Sequence, residues 1–241
     1  MEAGALNLIC PKRILSATTS AIDRCCPLGT DHRDRDEAEV DDHTEAEPNH
    51  DVRGQSNAPT TMMGQNGRVL IRQERPGDVA IVHTLVAAAF ARPESVEQGP
   101  VEVALLHDLR ADQGWLPALS LVAVEPAGGD LVGHVVCTRG AVDASPALGL
   151  GPIAVRPDRQ RRGVGTALMH AVLGAAEALG ESLVALLGAP HFYSRFGFRA
   201  STEYGIAAPD PVWGAHFQVR TLSADRPVPG RFTYAEPFRR L

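Results

Sequence analysis

The stretch "GPIAVRPDRQRRGVGTAL", residues 151–168, decides how this chain is read. An apolar run with the character of a β-strand ends at Val155. A polar turn then carries Arg156, Arg159, Arg161 and Arg162, and two glycines open a segment with helical periodicity. The helix predicted over 163–180 puts Val164, Leu168, Val172, Ala175 and Leu179 on its buried side. Thr166, His170, Gly174 and Glu177 face outward. "SLVALL" (182–187) is continuously apolar, which predicts a strand covered on both faces. Strand 148–155, helix and strand 182–187 together predict a right-handed parallel crossover, the building unit of α/β folds.

Working outward, "RVLIRQ" (68–73) predicts a first strand. "PGDVAIVHTLVAAAF" (76–90) predicts a helix capped by Asp78, with Val79, Val82, Val86 and Phe90 along one face. A second helix, "PVEVALLHDLRAD" (100–112), has Pro100 near its first turn. Two β-type runs at 119–125 and 131–139 flank "PAGGD" and predict a hairpin. Downstream, "PHFYSRF" (190–196) predicts a short helix stopped by Gly197. Strand-like pieces near 198–206 and 216–222 close the chain. The predicted order is β-α-α-β-β-β-α-β-α-β-β, a single mixed α/β domain over 67–241.

Residues 1–66 read differently. They hold 12 acidic and 6 basic side chains, whereas the remaining chain holds 17 of each, so the net charge of −6 lies entirely in this segment. "DHRDRDEAEVDDHTEAEPNH" (31–50) has Val40 as its one large apolar side chain and cannot offset the entropy of ordering. A disordered acidic tail is expected, dispensable for activity, with a start near Met62 as an alternative. His32, His43 and His50 among carboxylates suit a solvated tail better than a metal site. No other metal site is expected. Cys10, Cys25, Cys26 and Cys137 show no C-x-x-C spacing, so neither a zinc framework nor a disulfide scaffold is indicated. No apolar run approaches a membrane span, and no secretory leader is apparent. A cytoplasmic protein without a membrane or nucleic-acid partner is expected, since residues 67–241 are close to neutral.

The arginine turn asks for an explanation. A helix N-terminus offers unpaired backbone N–H groups and the positive end of the helix dipole. Glycine there lets an anion approach the main chain. Arg161, Arg162, Gly163, Val164, Gly165 and Thr166 are thus a candidate backbone cradle for a diphosphate. Arg156 and Arg159 either add charge to it or are solvated turn residues. A Walker loop is excluded because the single lysine, Lys12, lies in the tail. A dinucleotide fingerprint fails at Leu168, and "GLGPIA" (149–154) opens no helix.

Gln160-Arg161-Arg162-Gly163-Val164-Gly165 resembles the [RQ]-x-x-G-x-[GA] motif of the GNAT N-acetyltransferases. "FYSRFGF" (192–198) stands where that family carries its tyrosine segment. "LGLGPIAV" and "LLGAPHFYSRFGF" with "HFQVRTL" look like its YhbS-like bacterial branch. The resemblance covers about 68–241. It implies acetyl-coenzyme A as cosubstrate, with the pyrophosphate on the N–H groups of Arg161 to Thr166. It also implies free main-chain groups at Ile153, Ala154 and Val155 for the pantetheine arm and thioester, with the Val155 N–H as oxyanion donor. Tyr193 matches the family's general acid for the departing thiolate, although such a tyrosine also serves as a core aromatic. The family's asparagine shortly before that tyrosine is absent from "LLGAPH". His134, His191 and a water chain stand as alternative bases. The implied activity is acetyl transfer to a primary amine through a tetrahedral intermediate. The acceptor is a small molecule or peptide, and the protein is a monomer or homodimer. The alternative is a non-catalytic acyl-coenzyme A sensor on the same fold. DNA binding through the arginine turn is the remote third.

Overall fold

The computed structural model describes residues 69–91, 100–126, 128–223 and 227–240. The proposed tail and its histidines therefore lie outside the described residues. The elements are β1 (Leu70–Gln73), α1 (Val79–Phe90), α2 (Val101–Ala111), β2 (Trp115–Val124), β3 (Leu131–Val142), β4 (Ser145–Val155), α3 (Val164–Ala178), β5 (Leu183–Leu187) and α4 (Pro190–Tyr193). They are followed by β6 (Arg199–Ala200), β7 (Ile206–Ala207), β8 (Phe217–Thr221) and β9 (Gly230–Thr233). The strands run β1-β2-β3-β4-β5-β8-β6 across the sheet, with β9 on β3 and β7 on β9. The fold is mixed α/β, as expected, and β4 and β5 are parallel neighbours.

Two apolar clusters cover the two faces of the sheet. On one face α3 packs Leu168, Met169, Val172 and Leu173 against Val132, Val135, Cys137, Ile153 and Val155. On the other, Val82, Leu85, Val86 and Phe90 of α1 and Leu106 of α2 meet Val122, Val136 and Ala154. Each such buried aliphatic side chain contributes about 1.5–3 kcal/mol. Because strand side chains alternate, His134 lies on the α1/α2 face, between residues committed to the α3 face.

Several expectations need correction. The stripe of α3 is Val164, Gly165, Leu168, Met169, Val172, Leu173 and Ala176. Ala175 is half-buried, and Leu179, past the helix end, is 52% exposed. At 3.6 residues per turn, successive steps of four drift off the contact line, so 169, 173 and 176 join it. Asp78 does not cap α1 through its side chain. A 3-10 turn at Pro76–Asp78 starts first, and the carboxylate turns back to accept from Arg75 N (2.7 Å) and pair with Arg72 (2.6 Å). The strand expected near 198–206 is broken by a 3-10 turn at Ser201–Tyr204, leaving two-residue pieces. Strand β9 and the 3-10 turn Glu236–Arg240 had no counterpart in the sequence reading.

Candidate active site

The arginine turn is a short bridge between β4 and α3. Its residues 157–159 form a 3-10 turn, and α3 begins at Val164 with Gly163 in the left-handed region (φ 83°). Arg161 is also left-handed (φ 59°), an uncommon conformation for a residue with a Cβ. A Cβ added at Gly163 meets nothing within 4 Å, so the space before the helix is open. The first-turn N–H groups have no intrahelical acceptor by geometry. The first carbonyl taken up is that of Gly163, which accepts from Ala167 N at 2.9 Å.

The helix start is held down by a close approach. A Cβ on Gly133 of β3 would stand 2.8 Å from Leu168 Cδ1 and 3.0 Å from Val164 Cγ1. The missing side chain lets α3 settle onto the sheet opposite Val155, the cross-strand partner of Gly133. Sequence reasoning missed Gly133, whose signal was only a glycine inside a strand run.

The arginines divide into two pairs. Arg156 binds Asp158 (2.7 Å), and Arg159 binds Glu125 and Asp158 (2.6 Å to the latter). Glu125 lies beyond the end of β2, so Arg159 ties the turn to the β2–β3 hairpin. The Arg159 hydrogen bond holds the Glu125 carboxyl below the usual carboxylate range. These two side chains are structural links. Arg161 and Arg162 are exposed and make no ion pair among the described residues.

Strand β4 keeps β3 as its partner throughout but loses β5 along its length. It pairs with β5 only at Leu148↔Val184 and Gly149↔Ala185. Beyond that point β5 continues on β8, with Leu186↔Gln218 and Leu187↔Phe217, while β4 continues on β3. A bulge sets the change. Between Leu150↔Cys137 and Ile153↔Val135, β4 has two residues, Gly151 and Pro152, where β3 has Val136 alone.

The register also settles which main-chain groups face the gap. Arg156 N donates to Val132 O at 2.9 Å, so that pair is hydrogen-bonded. In an antiparallel ladder such pairs alternate. With Gly133↔Val155, His134↔Ala154 and Val135↔Ile153 in register, Ala154 pairs with His134. The N–H and C=O groups of Val155 and Ile153 point away from β3, towards the gap. The Val155 carbonyl accepts from Gln160 Nε2 at 3.1 Å, which folds the turn back over the strand end. Ala154 differs from its two neighbours: its main chain belongs to the β3 ladder.

Tyr193 ends α4, and its ring sits edge-on to Phe192 and Phe198 at 4.7 and 5.9 Å. It is 1% exposed, and its hydroxyl has no hydrogen-bond partner among the described residues. Burial pushes the phenol well above its ordinary value, so it keeps its proton at neutral pH. An orphaned buried hydroxyl costs about 1–3 kcal/mol and calls for a reason. His191 is exposed on α4. Trp213 is buried, packed on Phe217 and Tyr234, with its Nε1 also unpartnered.

A second polar group went unseen in sequence. Glu74, just past β1, is bound by Arg110 of α2 (Nη2–Oε1 2.5 Å), by Ser120 of β2 (Oγ–Oε2 2.5 Å) and by His134 of β3 (Nε2–Oε2 3.3 Å). Burial alone raises the Glu74 carboxyl, but hydrogen bonds from His134 and Ser120 with the nearby Arg110 charge bring it down to about 2. No spacing rule links positions 74, 110, 120 and 134.

Among the described residues no group of His, Cys, Asp and Glu is arranged to hold a metal, and no helix is long and apolar enough to cross a membrane. Residues 83–198 match the family model of the acetyltransferase (GNAT) family. The Escherichia coli K12 N-acetyltransferase YhbS is 31% identical over 177 residues, covering 72% of this chain and all of YhbS. Its crystal structure in complex with CoA superposes with a TM-score of 0.64 at 30% identity, over 71% of this chain and 92% of that one. A GNAT acetyltransferase from Brucella melitensis in complex with acetyl-CoA gives a TM-score of 0.56 at 30% identity, over 71% of this chain and 99% of that one.

Proposed function

The chain belongs to the GNAT acetyltransferase family, an acyltransferase family, and from that premise we propose that it moves acetyl from acetyl-coenzyme A directly to a primary amine. The observation that carries the reading is the parting of β4 from β5, which leaves the Ile153 main chain and the Val155 N–H without a partner strand at a gap. The residues present fit the cosubstrate. The N–H groups from Arg161 through Gly163, Val164, Gly165 and Thr166 receive the pyrophosphate at the α3 N-terminus. Arg161 and Arg162 add charge from the rim. Ile153 pairs with the pantetheine arm as a strand would. Ala154 contributes its methyl group and the ladder that keeps its neighbours in place.

The Val155 N–H, turned towards the gap, would meet the thioester carbonyl and stabilise negative charge on that oxygen during transfer. One such donor is worth about 10²–10³ in rate. Tyr193 donates its hydroxyl proton towards the departing sulfur. Its raised pKa makes it chiefly a hydrogen-bond donor to the thiolate, with full proton transfer completed from solvent. The acceptor is a small-molecule or peptide amine, met in the cytoplasm by a monomer or dimer. Release of free thiol from acetyl-coenzyme A over a panel of primary amines tests the reading. Amine-dependent release supports it. Tight acetyl-coenzyme A binding with no release on any amine reassigns the chain as an acyl-coenzyme A sensor.

A further inference from the structure

The group around Glu74 has an atom left over, and its protonation follows from counting donors. The Glu74 carboxylate is ionised at neutral pH and only accepts. Ser120 therefore gives its one proton to Glu74 at 2.5 Å. The Ser120 oxygen, 3.1 Å from His134 Nε2, is then an acceptor, so Nε2 carries the hydrogen. The same N–H reaches Glu74 Oε2 at 3.3 Å. Burial, opposed by Glu74, lowers the imidazole pKa, so the ring is neutral. Its Nδ1 is then a bare lone pair. That nitrogen has no hydrogen-bond partner among the described residues and belongs to a residue with no solvent exposure.

The position of this lone pair matters. His134 is the cross-strand partner of Ala154, between the two β4 residues that face the gap. Its side chain lies on the α1/α2 face of the sheet. The charged groups facing it are Glu74 from the end of β1 and Arg110 of α2. His83 of α1 touches the far side of Arg110 at 2.7 Å, and Ser120 of β2 completes the wall. A carboxylate on Nε2–H fixes the tautomer and stabilises the imidazolium formed when Nδ1 takes a proton.

We propose that His134 Nδ1 receives the proton released by the acceptor ammonium, relayed by water because the ring itself has no solvent exposure. The inference rests on the amine-acetylation reading above. The ammonium N–H bond breaks and an Nδ1–H bond forms. The freed amine pair bonds the acetyl carbon, the carbon–sulfur bond breaks with its electrons leaving on sulfur beside the Tyr193 hydroxyl, and the second amine proton passes through solvent to that thiolate, leaving a neutral amide and a free thiol. The imidazolium, held by Glu74 through Nε2–H, returns its proton to solvent once the product has gone.

His134→Gln separates this role from a structural one. The glutamine amide nitrogen takes the place of Nε2 and still donates to Ser120 and Glu74, while nothing replaces Nδ1. The full chain is assayed with acetyl-coenzyme A and the amine of the panel that wild type turns over fastest. Expected are an unchanged unfolding midpoint, unchanged heat of acetyl-coenzyme A binding and a fall in kcat of about 10²-fold or more. The variant's rate climbs with pH as free amine accumulates, where wild type has levelled. A folded variant within twofold of wild type, with the same pH profile, overturns the proposal and leaves the family reading standing. Absence of acetyl-coenzyme A binding to wild type defeats the reading itself. Nitrogen-15 imidazole spectra decide independently of turnover: an Nε2–H tautomer with bare Nδ1 supports the proposal, and an Nδ1–H tautomer overturns it.

Discussion

The arginine turn and the group around Glu74 are both rich in charge, and they use it in opposite ways. In the turn, four arginines crowd seven residues, yet Arg156 and Arg159 are taken up by Asp158 and Glu125 at the surface. In the proposed site the turn offers a ligand its backbone, with Arg161 and Arg162 at the rim. Around Glu74, just past β1, single residues from α2, β2 and β3 meet largely out of water, and among the described residues every side chain there has a defined partner except at His134 Nδ1. Exposed charges are screened and worth little each. Buried ones depend on each other, and losing one leaves the rest uncompensated. Local density of charge in a sequence is therefore a poor guide to where charged side chains are buried together.

Removing the centre of the buried group makes the difference largest. Glu74→Ala leaves Arg110, Ser120 and His134 without their acceptor and is expected to cost about 3–5 kcal/mol. Urea unfolding measures it, and a loss no greater than that of a surface variant would erase the distinction. Next comes Gly163→Val, at a φ of 83° with open space around the missing Cβ. The branched side chain strains the backbone and stands at the proposed diphosphate site, so calorimetric binding of coenzyme A should vanish with the fold intact. Acid gives a third, graded effect. Glu74 has its folded-state pKa depressed from 4.5 to about 2, so its contribution is complete above about 4.5 and is lost as pH falls through about 2. The wild-type midpoint should decline across that window, and in Glu74→Gln this part of the decline should be missing. Smallest is Arg159→Ala, which removes a surface link and should leave stability and coenzyme affinity close to wild type.

The same contrast explains what was legible in sequence. The β4–turn–α3 unit announces itself because strand, glycines and helical period are contiguous, and the motif at Gln160–Gly165 sits inside it. Tyr193 was singled out through its neighbours at 192–198. The parting of β4 from β5 was not readable from residues alone, because which strand pairs with which depends on register set by the bulge at Gly151–Pro152. Ala154 looked equivalent to Ile153 and Val155 until the ladder's alternation gave it to β3. Strand β9 is four residues long and finds its partner, Val142 of β3, ninety residues upstream of Phe232. Such a pairing leaves no local period. Gly133 matters for the helix packed over it, and Glu74 for residues 36, 46 and 60 positions away.

Backbone amide spectra of the full chain, recorded while coenzyme A is added, test most directly whether the main chain at the β4–α3 junction holds the coenzyme. The account predicts saturable shifts largest at Ile153, Val155, Gly163, Val164, Gly165 and Thr166, with Ala154 moving less than its neighbours. Saturation with the largest shifts elsewhere, or no shift at any concentration, would contradict it.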